Sequence, residues 1–162
     1  MRILGIDPGL CITGYGLIEA GPRGLKLIEA GVVRTSAKDD IEARLARLYE
    51  GLEGLVKEHR PEVLVLEQLY SHYKHPRTAV IMGHTRGVFF LVAGMANIPV
   101  FSYSATRIKK SLTGAGHASK DQVAGMIART LFQADMSGHA DVSDAIAAAL
   151  CHVNVIAHGG GL

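Results

Sequence analysis

The first pattern in the chain is a short apolar run closed by an acid. Arg2-Ile3-Leu4-Gly5-Ile6-Asp7 is followed at once by Pro8 and Gly9, which predicts a buried strand over 2–7 that stops at Asp7. Gly9, Gly14 and Gly16 punctuate a turn and a second strand, Thr13 to Ala20. Gly21-Pro22-Arg23-Gly24 then makes a tight connection into a third, Leu25 to Arg34. Strands joined by such short turns form an antiparallel meander. The period changes after Asp39 and Asp40, either of which is available as an N-cap. Ile41, Leu45, Leu48, Leu52, Leu55 and Val56 follow helical spacing. A strand over 62–67 comes next and, like the first, ends in an acid, Glu67. Beyond a polar loop at 68–75, an apolar segment from Pro76 to about Asn97 starts with proline at a first helical position, although Gly83, Gly87 and Gly94 weaken it unless something packs closely. Pro99 to Ser102 predicts a short strand, Ala105 to Leu112 a short helix and 113–117 a loop. Ser119 caps a helix to about Phe132, and a last helix runs from about His139 to Ala157. A meander followed by helix–strand alternation predicts one α/β domain over 1–157. Its five-stranded mixed sheet has three antiparallel and two parallel strands with helices on both faces, and 158–162 is a flexible Gly-rich tail.

Composition agrees with one globular domain: 162 residues, 48% hydrophobic and 20% charged. The two cysteines, Cys11 and Cys151, have no metal-type spacing, which suits reduced, cytoplasmic chemistry. No apolar run approaches the ~20 residues of a membrane span, and Asp7 interrupts the stretch a signal peptide would need. The expectation is a cytoplasmic protein with no membrane partner.

Charge changes the picture more than its net value of +2 suggests. From Leu69 to Lys120 there is no Asp or Glu, while Lys74, Arg77, Arg86, Arg107, Lys109, Lys110 and Lys120 are all there. Those seven cations against +2 overall leave the rest of the chain at −5. Such a stretch suggests a surface for a polyanion; the alternative is a solvated face that happens to lack acids. Tyr70 and Tyr73, interleaved with His72, Lys74 and His75, favour the first reading, because aromatic rings stack on unpaired bases beside phosphate-binding cations.

Asp141 and Asp144 lie three residues apart near the start of the last helix and therefore on one face. Acids there can simply complement the helix dipole. Here, however, the following Ala145-Ile146-Ala147-Ala148-Ala149-Leu150 is apolar around most of the cylinder, which buries the helix and presses its acidic end against the sheet. Buried carboxylates need a cation. The strand ends offer no basic residue nearby in sequence, and oxygen ligands from Asp7, Glu67, Asp141 and Asp144 suit Mg²⁺ or Mn²⁺. Two such ions about 4 Å apart support phosphodiester hydrolysis.

These residues resemble the RuvC family of bacterial Holliday-junction resolvases. The resemblance is carried by Ile3-Leu4-Gly5-Ile6-Asp7-Pro8-Gly9 with Thr13-Gly14-Tyr15-Gly16, by Leu66-Glu67-Gln68, by His84-Thr85-Arg86-Gly87-Val88, and by Asp141-Val142-Ser143-Asp144-Ala145 with Ala147. It implies an RNase H-like fold, a homodimer and Mg²⁺-dependent paired nicking of a four-way junction. It also implies partnership with the branch-migration proteins RuvA and RuvB. On it, Asp7, Glu67, Asp141 and Asp144 are the catalytic metal ligands for two Mg²⁺, with Mn²⁺ as a substitute. Tyr70 stands where the family stacks an aromatic on bases, Tyr in place of the more familiar Phe. Lys109 and Lys120 align with basic residues near the scissile phosphate, while Lys74, Arg77, Arg107 and Lys110 are further candidate DNA contacts from the acid-free stretch. Arg86 reads either as a further contact or as a helix-surface residue. Val88, Phe89, Leu91, Val92 and Met95 serve the core, the dimer seam or both.

Three rivals stand beside this reading. An actin-like or sugar-kinase ATPase shares the Gly-Ile-Asp-x-Gly opening but needs two such domains. A non-catalytic junction-binding module would tolerate loss of an acid, and none is lost. A shorter RuvC-like nuclease acting on RNA would lack the match through Lys109 and Lys120.

Overall fold

The computed structural model describes residues 1–68, 76–131 and 140–159. The period-2 alternation of β1 (Arg2–Asp7) assigns Ile3, Gly5 and Asp7 to one layer of helices and Leu4 and Ile6 to the other. β2 (Ile12–Gly21) and β3 (Gly24–Arg34) form the predicted hairpin, with Gly21 opposite Gly24 and Pro22-Arg23 at its tip. Gly24 has φ +103°, a conformation that side chains rarely adopt. β2 is antiparallel to both β1 and β3, which completes the meander.

α1 (Ile41–His59) buries Leu48, Leu52 and Val56 at every fourth position. Asp40 occupies its N-cap position, but its side chain makes no capping hydrogen bond. Arg60 closes the helix in the left-handed region. β4 (Val63–Glu67) runs parallel to β1, and β5 (Val100–Tyr103) runs parallel to β4, so the sheet has the order β3-β2-β1-β4-β5. This is the predicted five-stranded mixed sheet. β5 begins one residue later than the pattern suggested because Pro99 has no N–H to donate; its carbonyl instead accepts from Leu64 N–H at 3.0 Å.

α2 (Pro76–Met95) ends two residues before the expected Asn97. Asn97 turns to φ +55°, and Ile98 N–H reaches back to the Ala93 carbonyl at 2.9 Å. α3 (Ala105–Thr113), α4 (Lys120–Leu131) and α5 (Ala140–Ala157) follow β5. α1 and α2 cover the Leu4, Ile6, Leu64 and Leu66 side of the sheet, and α3, α4 and α5 cover the Ile3, Ile18, Val63 and Val65 side. Residues 69–75 of the predicted loop 68–75, the helix ends at Phe132 and His139, and tail residues 160–162 lie outside the described residues.

The expectation that no segment reaches spanning length needs correction. By length and composition two helices do, Arg77–Met95 and Ala140–Ala157, because isolated polar residues break a strict apolar run without making the helix polar on average. α5 spends its apolar surface on the sheet, burying Val142 and every residue from Ala145 to His152. α2 divides its own: Phe89, Val92 and Ala93 are core, while Val80, Phe90, Leu91 and Met95 are exposed.

Candidate active site

Asp7 and Glu67 end adjacent parallel strands in matched register, Ile6 standing opposite Leu66. Alternation along Ile3-Gly5-Asp7 and Val63-Val65-Glu67 turns both acids to the α5 side, at the carboxyl ends where open α/β sheets build their sites. The backbone of α5 comes down onto that spot. Gly14 pairs with Asp7 across β1 and β2, and a Cβ on Gly14 would lie 2.1 Å from the Asp141 carbonyl oxygen. A Cβ on Gly5 would lie 2.0 Å from the Ala145 carbonyl oxygen. Only glycine leaves room for the helix here. The contact delivers Asp141 and Asp144, on the first turns of α5, to the strand-end acids.

The four carboxylates share one electrostatic field. Burial pushes Asp7 from its ordinary 3.8 up to about 7, with Asp144, Glu67 and Asp141 adding to the rise and Lys120 opposing it. Burial also raises Glu67, helped by Asp144 and opposed by Lys109 and Lys120. Lys120 Nζ donates to Asp144 Oδ2 at 3.0 Å. A cavity lined by Glu67, Lys109, Lys120 and Asp144 beside Ala105, Ile108, Val123 and Ala147 brings both lysines to the acids. The absence of basic residues near the strand ends in sequence is therefore misleading, since α3 and α4 supply them from across the fold.

Local chemistry sets both helices. Ser104 Oγ accepts from Arg107 N–H at 3.3 Å at the start of α3. Ser119 and Gln122 form a reciprocal box ahead of α4, Ser119 Oγ accepting from Gln122 N–H at 3.2 Å and Gln122 Oε1 from Ser119 N–H at 2.8 Å. Four carboxylates against two ammonium groups still leave excess negative charge in a half-buried site, and the donors are all oxygen. That set fits a hard divalent cation.

A family model described as crossover junction endodeoxyribonuclease RuvC matches residues 3–152. The chain belongs to the RuvC family. The RuvC of Rhodopirellula baltica is 46% identical over 150 residues, covering 92% of this chain and 84% of that protein. The RuvC of Halorhodospira halophila is 41% identical over 153 residues, covering 94% and 90%. The solved structure of Thermus thermophilus RuvC in complex with a Holliday junction substrate superposes with a TM-score of 0.90 at 25% identity, over 99% of this chain and 98% of that one. The yeast mitochondrial Holliday junction resolvase Ydc2, at 15% identity and a TM-score of 0.69, shares the fold.

The other residues that the RuvC resemblance singles out are dispersed. Arg77 is exposed near the start of α2, and Arg107 and Lys110 are exposed on α3, with the Arg107 guanidinium 5.1 Å from the centre of the Tyr103 ring. Tyr70 and Lys74 lie outside the described residues. Arg86 is no surface residue: it is 8% exposed, and its Nη1 donates to the Glu67 carbonyl at 2.5 Å. The sequence signal was available, because Thr85, Arg86, Phe89, Val92 and Ala93 make one buried helical stripe. Away from the RuvC acids, Glu29, Glu58 and His59 bring ligand atoms within 4.8 Å of one another. Glu29 there is already engaged by Tyr15 Oη at 2.7 Å and by His59 Nε2 at 2.7 Å, a hydrogen-bonded cluster in which Glu29 lies too far in sequence from Glu58 and His59 to be grouped with them by spacing.

Proposed function

We propose that this chain, as a single domain over 1–157, is a structure-selective endonuclease. It would resolve four-way DNA junctions by paired symmetric nicks in recombination and repair, in the cytoplasm of a bacterium. The reading is carried by Glu67 and Asp144 lining one cleft with Lys109 and Lys120, and by Asp7 sharing the electrostatic field of Asp144, Glu67 and Asp141. Its support outside the site is that relatives 46% and 41% identical bear the name crossover junction endodeoxyribonuclease RuvC, and that the T. thermophilus relative was solved in complex with a Holliday junction substrate.

The four carboxylates would hold Mg²⁺, two per site, with Mn²⁺ as a substitute. When bound, the ions supply Lewis acidity that lowers the pKa of the attacking water and offsets charge on the phosphate. The protein's own part is orientation and charge. Rigid strand ends fix Asp7 and Glu67, and the N-terminal turns of α5 fix Asp141 and Asp144. Lys120, held on Asp144, and Lys109, beside Glu67, stand ready to neutralise a phosphate oxygen. Water attacks phosphorus and the 3′-oxygen leaves with a proton, giving 5′-phosphate and 3′-hydroxyl ends.

The test is cleavage of a synthetic four-way junction with Mg²⁺. Two symmetric nicks are expected, against neither linear duplex nor with Asp7→Asn. Binding without cleavage would leave a non-catalytic junction module, and cleavage of linear duplex as fast as the junction would remove the structural selectivity. For Lys109→Ala and Lys120→Ala, the expected outcome is a cleavage rate about 10–100-fold lower with junction affinity changed less than about threefold. Equal losses in a binding assay would make both lysines ordinary backbone anchors.

Paired nicking requires two sites, and the exposed Phe90, Leu91 and Met95 of α2 offer an apolar face for a second copy, as the family implies. Leu91→Glu is expected to shift the protein from dimer to monomer in sedimentation while leaving the circular dichroism spectrum unchanged. A dimer of wild-type affinity would move the interface elsewhere. RuvA and RuvB are the proposed partners on the junction.

A further inference from the structure

We propose that Arg86 is a positioning residue for Glu67: from α2 its guanidinium ties the last residue of β4 to β5 and thereby sets where the Glu67 carboxylate points. The inference rests on the reading of Glu67 as a ligand in the proposed site.

Arg86 lies on the buried stripe of α2 among Thr85, Phe89 and Val92, positions that an ordinary core helix fills with apolar residues. A guanidinium in such a place loses much of its hydration and persists where its donors are used. Here they reach two strands at once. Nη1 donates to the Glu67 carbonyl at 2.5 Å, and Nη2 points to Ser102 Oγ on β5 at 3.4 Å. The Phe90 ring flanks the group, its centre 5.5 Å from the guanidinium carbon. The ladder around this point is otherwise close to its end. Glu67 is the last residue of β4, and Gln68 N–H makes one further bond, to the Tyr103 carbonyl at 2.8 Å.

Arg86 thus holds the terminal peptide of β4 from the α2 side, while the Glu67 side chain leaves that same residue toward Asp144, Lys109 and Lys120. A planar fork can span two acceptors on neighbouring strands; an ammonium is a single point and spans them poorly. A carboxylate that must meet an ion and its neighbours tolerates displacement of only about 0.5 Å, so the clamp on the backbone acts through Glu67 without touching the ion or DNA.

Arg86→Lys and Arg86→Met decide the matter, with three readouts beside the circular dichroism melt. The first is Mn²⁺ affinity of the DNA-free protein by titration calorimetry. The second is junction affinity by fluorescence anisotropy in EDTA, and the third is single-turnover cleavage. Expected are Mn²⁺ affinity and cleavage each about 10–100-fold lower, junction affinity within about twofold, and a smaller loss for Lys than for Met. In a Glu67→Gln background, replacing Arg86 is expected to cost no further Mn²⁺ affinity, because the effect passes through Glu67. Wild-type Mn²⁺ affinity and cleavage in Arg86→Lys, an additive loss in the Glu67→Gln background, or an equal loss of junction binding would each overturn the proposal. Should Arg86→Met not fold, Arg86→Lys alone decides. If Glu67→Gln itself binds Mn²⁺ and cuts like wild type, the site reading fails first; if Glu67→Gln is impaired and the Arg86 variants are not, only the positioning role falls.

Discussion

Asp7→Asn will cut a four-way junction at least about 1,000-fold more slowly than the wild-type protein, and in the absence of divalent cations it will melt at a higher temperature. The first effect follows from removing one carboxylate of the proposed ion-binding set. Several kcal/mol of charge stabilisation are lost, and at about 1.4 kcal/mol per tenfold in rate, roughly 4 kcal/mol is a factor of about 1,000. The second follows from the burial and crowding that push the Asp7 carboxyl from 3.8 up to about 7. The native state holds this proton more tightly than the unfolded chain does. The stability it contributes is therefore fully present below about pH 3.8 and is lost as pH rises through about 7. Above that, wild-type protein carries a strained anion and Asp7→Asn does not. The difference is on the order of 2–4 kcal/mol, given about 1.4 kcal/mol per pKa unit. Calorimetric melts of both proteins in EDTA from pH 4 to 9 are expected to diverge between pH 4 and 7 and run parallel beyond. Added Mg²⁺ is expected to raise the melting temperature of the wild type more than that of the variant. Parallel curves throughout would mean that Asp7 is ordinarily ionised and the acids are not crowded.

Gly14→Ala should unsettle the site from the opposite side. A Cβ at this position would sit 2.1 Å from the Asp141 carbonyl oxygen and 2.4 Å from its carbonyl carbon, backbone atoms with no rotamer into which to retreat. The start of α5 must lift off β2, carrying Asp141 and Asp144 with it. Overpacking of this kind costs about 2–4 kcal/mol, a fall in melting temperature of roughly 5–12 °C for a chain of this size. The displaced acids should lower cleavage by about 100-fold. Gly54→Ala is the matched control. Gly54 lies within α1, nothing stands within 4 Å of where its Cβ would go, and the substitution is expected to be neutral or to stabilise by up to about 1 kcal/mol. Equal melting temperatures for the two variants would show that α5 is not seated against Gly14 as described.

What was legible in the sequence was what neighbouring residues decide among themselves. Glycine and proline at 21–24 specify the hairpin, the four-residue spacing from Leu48 to Val56 specifies α1, and Ser119 with Gln122 closes the start of α4. The five-stranded sheet, the strand-end position of Asp7 and Glu67, and the acid pair on the last helix followed from period and turn chemistry alone. Two small departures were local as well. Asp40 holds the N-cap position without a capping bond, and the proline before β5 moves its start by one residue.

Tertiary structure decided what brings distant segments together. That Lys120 meets Asp144, that Lys109 lies beside Glu67, and that burial and neighbouring acids push the Asp7 carboxyl up depend on α3, α4 and α5 packing on one face of the sheet. Arg86 shows the same division within one residue. Its place on a buried stripe was readable from spacing, but its grip on the Glu67 carbonyl exists only because α2 crosses the end of β4. Sequence by itself determined which acids end which elements, since pattern acts over a few residues. Packing made them one site, because the field at a carboxylate is set by whatever lies within a few ångströms, however far apart along the chain.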